Sequence, residues 1–160
     1  MLRVSKLTDY GTVVMGCLAQ APRQYHKAVD VAARTGVALP TVSKLLKQLV
    51  RGNLIESIRG HQGGYRLLRD AADISVAEIV RALEGPVAVT ECCARPGLCH
   101  HEASCSIQFN WQKINRAVLR AIEEVSLEEL IGDANVLTRP GKPSPLLPRR
   151  ATNAHLQLMK

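Results

Sequence analysis

Aromatic residues are scarce in this sequence, which has one Trp, one Phe and three Tyr among 160 residues. The core must therefore be largely aliphatic, which suits packed helices. No run of about 18 apolar residues is present, and this excludes a membrane-spanning helix. The first residues also lack the apolar stretch of a signal peptide. We therefore expect a soluble cytoplasmic protein without a membrane partner.

Signatures of catalysis are missing as well. The sequence contains no phosphate-binding glycine loop, no Ser/His/Asp set and no paired carboxylates that stand out. Its histidines cluster only beside cysteines. We therefore expect a protein that is not an enzyme and has no small-molecule substrate.

Charge is distributed unevenly along the chain. Residues 1–70 contain 11 Lys and Arg against 4 Asp and Glu, whereas residues 71–131 contain 5 against 9. Residues 132–160 contain 5 against 1 and are rich in proline, which is typical of a disordered basic tail. A basic region followed by an acidic one indicates that the first approaches a polyanion.

Three helical patterns fill the first fifty residues. The first begins at Thr8–Asp9, with Thr8 as its cap, and ends near Pro22. Its apolar stripe comprises Tyr10, Val13, Val14, Cys17 and Leu18. Because Cys17 lies on this stripe, we interpret it as a buried core thiol rather than a metal ligand.

The second and third patterns form a helix-turn-helix. The second helix ends at Thr35, where Gly36 supplies a left-handed cap. The third begins at Leu39 with Pro40 in its tolerated first turn. The outer face of this third helix is polar and basic, which predicts a DNA recognition helix whose candidate contacts are Thr41, Ser43, Lys44 and Lys47.

A hairpin follows the third helix directly. Two extended segments flank a glycine-rich turn at 59–64, and Arg59 and Arg66 are placed around that turn. The candidate DNA contacts at the tip are Arg59, Gly60 and His61. A hairpin in this position is a wing, so we predict a mainly α fold with a small β-hairpin wing. Residues 1–70 then form a winged helix-turn-helix that binds DNA.

Residues 71–131 are predicted to contain a linker helix, a cysteine loop and a long helix. The linker helix runs from Ser75 to Glu84, and a heptad-like apolar seam runs through 107–131. The seam comprises Ile107, Trp111, Ile114, Val118, Ala121 and Val125. We expect this helix to pair with a second copy in a homodimer. The alternative is that the seam packs only on its own winged helix.

Five cysteines is an odd number in a chain without a secretory signal, so a disulfide framework is not expected. Cys93, Cys99 and Cys105 are separated by five residues each in a loop at 92–106. Thiolates spaced in this way can converge on one soft metal centre, with Cys92 as a spare. Zinc and a disulfide switch are the alternatives. The candidates for a fourth ligand are His100, His101, Glu102, Gln108 and Asp9.

Five segments of the chain occur in the order found in one family of regulators. They are Leu7–Gly11, Val37–Leu49, Ser57–Leu67, Ile79–Gly85 and the triplet Cys93/Cys99/Cys105. In these segments, which cover roughly residues 1–130, the chain resembles the Rrf-two family of winged-helix regulators, which includes IscR-, NsrR- and SufR-like proteins. Thr90–Cys92 and Asn110–Asn115 are most similar to regulators of SUF iron–sulfur cluster assembly.

The resemblance implies a homodimer that binds operator DNA and represses cluster-assembly genes. Each protomer would carry an iron–sulfur cluster, [2Fe–2S] or [4Fe–4S], on the three cysteines, and loss of the cluster would shift DNA affinity. The third helix, with Thr41, Ser43 and Lys44, would enter the major groove. The wing, with Arg59, Gly60 and His61, would reach the minor groove.

The fourth ligand is where this chain departs from part of the family. IscR-like members place a histidine three residues after the last cysteine, and here that residue is Gln108, a poor cluster ligand. Other members use an acidic residue of the first helix, donated across the dimer, and Asp9 occupies the matching position. Asp9 is equally explained as an acid at a helix start. Nitric-oxide or redox sensing, or a zinc-stabilised DNA-binding module, are the alternative functions.

Overall fold

Seven α-helices, two strands and two 3₁₀ turns lie in residues 4–60 and 62–136, the part of the chain that this computed structural model describes. In chain order they are α1 (Lys6–Ala19), α2 (Ala28–Thr35), α3 (Leu39–Arg51), β1 (Ile55–Ile58), β2 (Gly64–Leu67), a 3₁₀ turn (Ala71–Asp73), α4 (Val76–Glu84), α5 (Glu91–Ala94), a 3₁₀ turn (Glu102–Ser104), α6 (Gln108–Glu123) and α7 (Leu127–Val136). None of the described helices is long and apolar enough to cross a membrane. His61 and the predicted tail beyond Val136 lie outside the described residues.

The first helix begins earlier than the sequence indicates. α1 starts at Lys6 with Ser5 as its cap, because Ser5 Oγ accepts a hydrogen bond of 3.2 Å from the Thr8 amide. The predicted cap at Thr8 is therefore wrong. The Thr8 side chain is buried and donates to the Glu84 carboxylate at the end of α4 instead.

The apolar stripe of α1 is only partly buried. Tyr10 and Val13 are 40% and 45% exposed. The buried face of α1 instead comprises Thr8, Gly11, Val14, Met15, Cys17 and Leu18. Cys17 is buried as predicted, and this burial raises the pKa of its thiol.

The helix-turn-helix forms as predicted. α2 ends at Gly36, whose φ of 70° lies in the left-handed region and whose amide donates to the Ala32 carbonyl at 2.9 Å. α3 begins at Leu39 with Pro40 in its first turn. One face of α3 is fully buried against α1, α2 and α4, and its residues are Val42, Leu45, Leu46 and Leu49.

The wing is an antiparallel two-stranded sheet that is attached to the connection between α1 and α2. β1 pairs with β2 in a register that places Ile58 opposite Gly64. His26, in the connection, exchanges two backbone hydrogen bonds of 2.9 Å with Tyr65 of β2. These main-chain bonds fix β2, close to the turn of the hairpin, relative to the α1–α2 connection.

We expect Gly64→Ala to loosen the wing and destabilise the domain. A Cβ at position 64 would lie 2.7 Å from the His26 carbonyl oxygen and 2.9 Å from its carbonyl carbon. Backbone must therefore move, and the free energy of unfolding should fall by about 1–3 kcal/mol in urea denaturation. Ser57→Ala, at an exposed position of β1, is the control. Equal stability of the two variants would contradict this role of Gly64.

α4 connects the winged helix to the cysteine loop. It spans Val76–Glu84, in agreement with the predicted linker helix, and begins with a capping box between Ser75 and Glu78. Its buried residues include Ile79 and Leu83. Because α4 packs against α1, α3 and α6, it lies at the centre of the chain's helical contacts.

The single long helix predicted at 107–131 is corrected to two helices. α6 ends at Glu123 and α7 begins at Leu127. The break is stabilised by a second capping box, in which Ser126 Oγ accepts from the Glu129 amide at 3.1 Å and the Glu129 carboxylate accepts from the Ser126 amide at 2.8 Å. A new helix therefore starts where the seam predicted continuity.

α7 packs back onto the winged helix. The Leu127 amide donates to the Ile74 carbonyl at 2.7 Å, and the Leu127 side chain is fully buried in the core. α7 also contacts α1 and continues to Val136. The tail boundary predicted at residue 132 is thus too early, because the chain is helical for one further turn.

Candidate functional site

The outer face of α3 carries exposed positive charge. Lys44 and Lys47 are exposed, and Thr41 and Ser43 beside them are half-buried. Within the part of the chain that the structure describes, neither lysine forms an ion pair. Both ammonium groups are therefore available to a phosphate backbone or to base edges.

The tip of the wing is built from glycines around Arg59. Arg59 and Gly60 are exposed, and Gly60 has a φ of 117°, a conformation that other residues rarely adopt. A Cβ on Gly63 would lie 2.3 Å from the Ile58 carbonyl oxygen. The turn is therefore narrow, and among its described residues Arg59 is an exposed cation. The third tip residue, His61, lies outside the described residues.

Arg66 does not share the role of Arg59. Its guanidinium forms an ion pair with Glu56 and lies 4.7 Å from the centre of the Tyr25 ring. The Tyr25 hydroxyl donates to the same carboxylate at 2.8 Å. These hydrogen bonds, from Tyr25 first and then from Arg66, hold the pKa of Glu56 below its ordinary value. Arg66 therefore stabilises the contact between the wing and the α1–α2 connection.

The three cysteines of the triplet lie in different parts of one loop. Cys93 is in α5, Cys99 follows the turn at Gly97, and Cys105 follows the second 3₁₀ turn. All three are half-buried thiols that form no disulfide. Within residues 4–60 and 62–136, no three Cys, His, Asp or Glu side chains are gathered as metal ligands. The structure therefore places the three thiols in one loop but does not bring them together.

Hydrogen bonds from two other residues order this loop. The Thr90 hydroxyl donates to Cys93 Sγ at 3.2 Å. The Glu102 carboxylate accepts from the Gly97 amide at 2.6 Å and from Gln108 Nε2 at 3.1 Å. Two of the candidates for a fourth ligand, Glu102 and Gln108, are thus hydrogen-bonded to each other.

Asp9 lies in the first turn of α1, where it is exposed. The end of α1 that carries Asp9 is fixed by Glu84, whose carboxylate accepts from the Ser5 amide at 3.2 Å and from the Thr8 hydroxyl. These bonds, that from Thr8 first, hold the pKa of Glu84 below its ordinary value. No local pattern predicts this role of Glu84, because its two partners lie 79 and 76 residues away along the chain.

α6 exposes much of the predicted apolar seam. Ile107 and Ile114 of the seam are 52% and 46% exposed, and Phe109, which lies off the seam, is 80% exposed. Trp111 and Val118 of the seam are half-buried, so part of the seam is covered within the chain and part is exposed. The buried residue of α6 is Asn115, whose Oδ1 accepts from the Val89 amide at 2.9 Å.

Comparison with known proteins agrees with this architecture. The sequence profile of the Rrf2 family, described as "Iron-dependent Transcriptional regulator", matches residues 4–133. The chain belongs to the Rrf2 family. The HTH-type transcriptional regulator IscR of Photorhabdus laumondii subsp. laumondii is 33% identical to it over 113 residues, which are 71% of this chain and 68% of that relative.

Two solved structures of regulators share the Rrf2 fold seen here. CymR (YrzC), the global cysteine regulator of B. subtilis, matches with a TM-score of 0.67 and 26% identity over 83% of this chain and 98% of CymR. IscR of T. potens matches with a TM-score of 0.65 and 27% identity over 88% of this chain and 94% of that IscR. The predicted family and the predicted winged-helix fold are therefore confirmed. Its Rrf2 relatives are DNA-binding transcriptional regulators rather than enzymes.

Proposed function

We propose that this Rrf2 protein is a homodimeric repressor of iron–sulfur cluster assembly genes that senses through a cluster on Cys93, Cys99 and Cys105. One observation carries the proposal. The cations on α3 and at the wing tip are unpaired among the described residues, and three half-buried thiols lie in a loop that α4 joins to that same domain. DNA binding and cluster binding can therefore influence each other within one chain.

In this proposal α3 enters the major groove and the wing tip enters the minor groove. Lys44 and Lys47 contact phosphates or guanine edges, and Thr41 and Ser43 add hydrogen bonds to the same strand. Arg59 enters the minor groove, where the negative potential is high, and Gly60 and His61 are the other proposed DNA contacts of the wing. These contacts are the sequence-reading part of the protein.

A second copy of the chain supplies the other half of the DNA-binding unit. The exposed side chains Ile107 and Ile114 lie one heptad apart on the seam and give it an apolar surface that a partner α6 can cover. Pairing through α6 gives two recognition helices, which read half-sites about 34 Å apart on a palindromic operator.

The donor chemistry of the loop fits an iron–sulfur cluster. Cys93, Cys99 and Cys105 provide three soft thiolate ligands, and Asp9 of the partner chain provides a carboxylate for the fourth position. The Thr90 hydroxyl donates to Cys93 Sγ at 3.2 Å and so helps to orient this sulfur in the loop. When bound, the cluster supplies a group whose presence depends on iron supply and on oxidants.

We propose Asp9 as the fourth ligand of the cluster, whether it is [2Fe–2S] or [4Fe–4S]. Gln108 is held by Glu102 in the structure, and an amide is a weak ligand for iron, so Asp9 is the better candidate. Nitric oxide or a general oxidant as the signal would act on the same thiol-bound iron.

Anaerobic purification followed by iron, sulfide and zinc analysis tests the proposal. We expect iron and acid-labile sulfide in stoichiometric amounts, a visible absorption band, and a duplex affinity that differs about tenfold between the loaded and the metal-free dimer, the size of a 1.4 kcal/mol coupling. A colourless protein with stoichiometric zinc would exclude the sensor and favour a zinc-stabilised DNA-binding module. Cysteines that form a disulfide without bound metal would favour a thiol switch.

A further inference from the structure

The last turn of α4, residues Arg81–Glu84, precedes the short segment 85–91 that leads into the cysteine loop, and we refer to it as the junction turn. On the side of the recognition helix, it is in close contact with the C-terminal end of α3. A Cβ on Gly52 would lie 2.5 Å from the Cβ of Ala82. Gln48 Nε2 also donates to the Leu83 carbonyl at 3.4 Å. The junction turn therefore fixes the C-terminal end of α3.

The same turn is in close contact with α1. A Cβ on Gly11 would lie 2.2 Å from the Leu83 Cδ1 atom, so the two helices approach closely at this point. Glu84 accepts the hydrogen bonds of Ser5 and Thr8. The N-terminus of α1, with Asp9, is therefore held by the residue that precedes the loop.

The third contact of the junction turn is with α6. Arg81 forms an ion pair with Glu123 at the end of α6. Directly after the turn, Gly85 has a φ of 89°, a conformation that favours glycine, and it ends α4. The chain then continues towards the cysteine loop. One turn of α4 thus joins the recognition helix, the N-terminal helix and the exposed α6 to the loop.

The Gln48 side chain differs from the other contacts because it is only half-satisfied. Its Oε1 atom is buried and has no hydrogen-bond partner among the described residues. A buried amide in this state is costly, and a small shift of α3 against α4 changes its hydrogen bonding. Gln48 is therefore placed to respond to movement of the junction turn.

We propose that the junction turn transmits the state of the cysteine loop to the recognition helix, and that Gln48 is the positioning residue on the α3 side. This inference rests on the proposed function for the nature of the signal, because the loop must change state. The contact itself is a property of the chain with or without metal. Coupling is reciprocal, so DNA bound to α3 must also alter the loop.

The reciprocal effect gives a test that needs no cluster. We expect a short mixed-sequence duplex, added to the metal-free protein at low salt, to slow amide hydrogen exchange in the cysteine loop, residues 92–106, at least about threefold, which is within the range of residue-level couplings. The loop is not among the proposed DNA contacts, so direct contact with the duplex does not explain this protection, and variants of the junction contacts test its route. No change of exchange in the wild-type loop would overturn the inference.

Gln48→Met is the deciding variant, because methionine keeps the length of the side chain and removes both polar atoms. We expect Gln48→Met to retain duplex binding and protection of residues 39–67, while protection of the loop is lost. Arg81→Met, which removes the exposed ion pair to α6, should reduce loop protection without affecting folding. Gln24→Leu, at an exposed glutamine in the α1–α2 connection, is the control and should match the wild type.

Full loop protection in both Gln48→Met and Arg81→Met would overturn the inference. Its failure is distinguishable from that of the proposed function. Loss of coupling in these variants together with a protein that binds no iron would support the junction turn and reject the cluster. Bound iron together with full loop protection in both variants would support the cluster and reject the junction turn.

Discussion

Replacing Lys44 and Lys47 together by alanine is expected to weaken binding to operator DNA by about 30- to 1,000-fold, a loss of about 2–4 kcal/mol for two recognition-helix contacts. Both side chains are exposed on the outer face of α3 and have no ion-pair partner among the described residues. Their removal therefore costs DNA contacts without breaking contacts within the protein.

The salt dependence of binding separates specific from electrostatic effects. If the lysines contact phosphates, the slope of log K against log salt should fall by about one for each contact that is lost. The stability of the double variant should stay within about 0.5 kcal/mol of the wild type, because surface substitutions have small effects. Gel shift and fluorescence anisotropy over a range of salt concentrations measure the slope, and urea denaturation measures the free energy of unfolding.

Arg116→Ala combined with Arg120→Ala is the matched control. It removes the same amount of charge from exposed positions, but on α6 rather than α3. If binding depended only on net charge, both double variants would weaken it equally. That result would contradict the assignment of α3 as the recognition helix.

Replacing Cys99 by serine is expected to lower bound iron and sulfide at least about tenfold after anaerobic reconstitution, because a serine hydroxyl is a poor ligand for soft iron–sulfur centres. The difference in duplex affinity between reconstituted and metal-free protein should disappear with it. Cys99 is half-buried in the loop and lies outside the hydrophobic core, so the winged helix should remain folded. Metal analysis checks the loss of iron and sulfide, circular dichroism checks folding, and duplex titration checks the difference in affinity.

Cys92→Ser is the internal control for the triplet. Cys92 is also a half-buried thiol, and it is adjacent to Cys93. We expect this variant to keep its iron and its response. Equal iron loss in both variants would show that the loop binds metal through a different set of thiols, and unchanged iron in Cys99→Ser would remove the triplet as the site.

Local signals in the sequence predicted most of the winged helix. Gly36 and Pro40 mark the turn and the start of α3 through their own backbone preferences, and the glycines at 60–64 mark the wing turn. The break between α6 and α7 was also present as Ser126 and Glu129, a capping box that the heptad-like seam concealed. Such features depend on a few neighbouring residues, so a single sequence contains them.

The residues of the candidate site also fall into those that the sequence predicts and those that only the packed structure distinguishes. Lys44, Lys47 and the cysteine triplet were found from composition and spacing, because charge and thiol chemistry belong to single residues. Arg66 was grouped with Arg59, and only the packed structure separates them through Glu56 and Tyr25. A sequence does not reveal which of two arginines meets a carboxylate.

The sequence by itself determined the class of the protein, most positions at which its helices and hairpin begin and end, and the residue types that can contact DNA and iron. The tertiary structure alone decided the role of Glu84 at the start of α1, the contact of Gln48 with α4, and the exposure of α6. The physical reason is distance along the chain. Contacts between residues 35 to 79 positions apart form only when whole elements pack, and their energies depend on burial that no local pattern specifies.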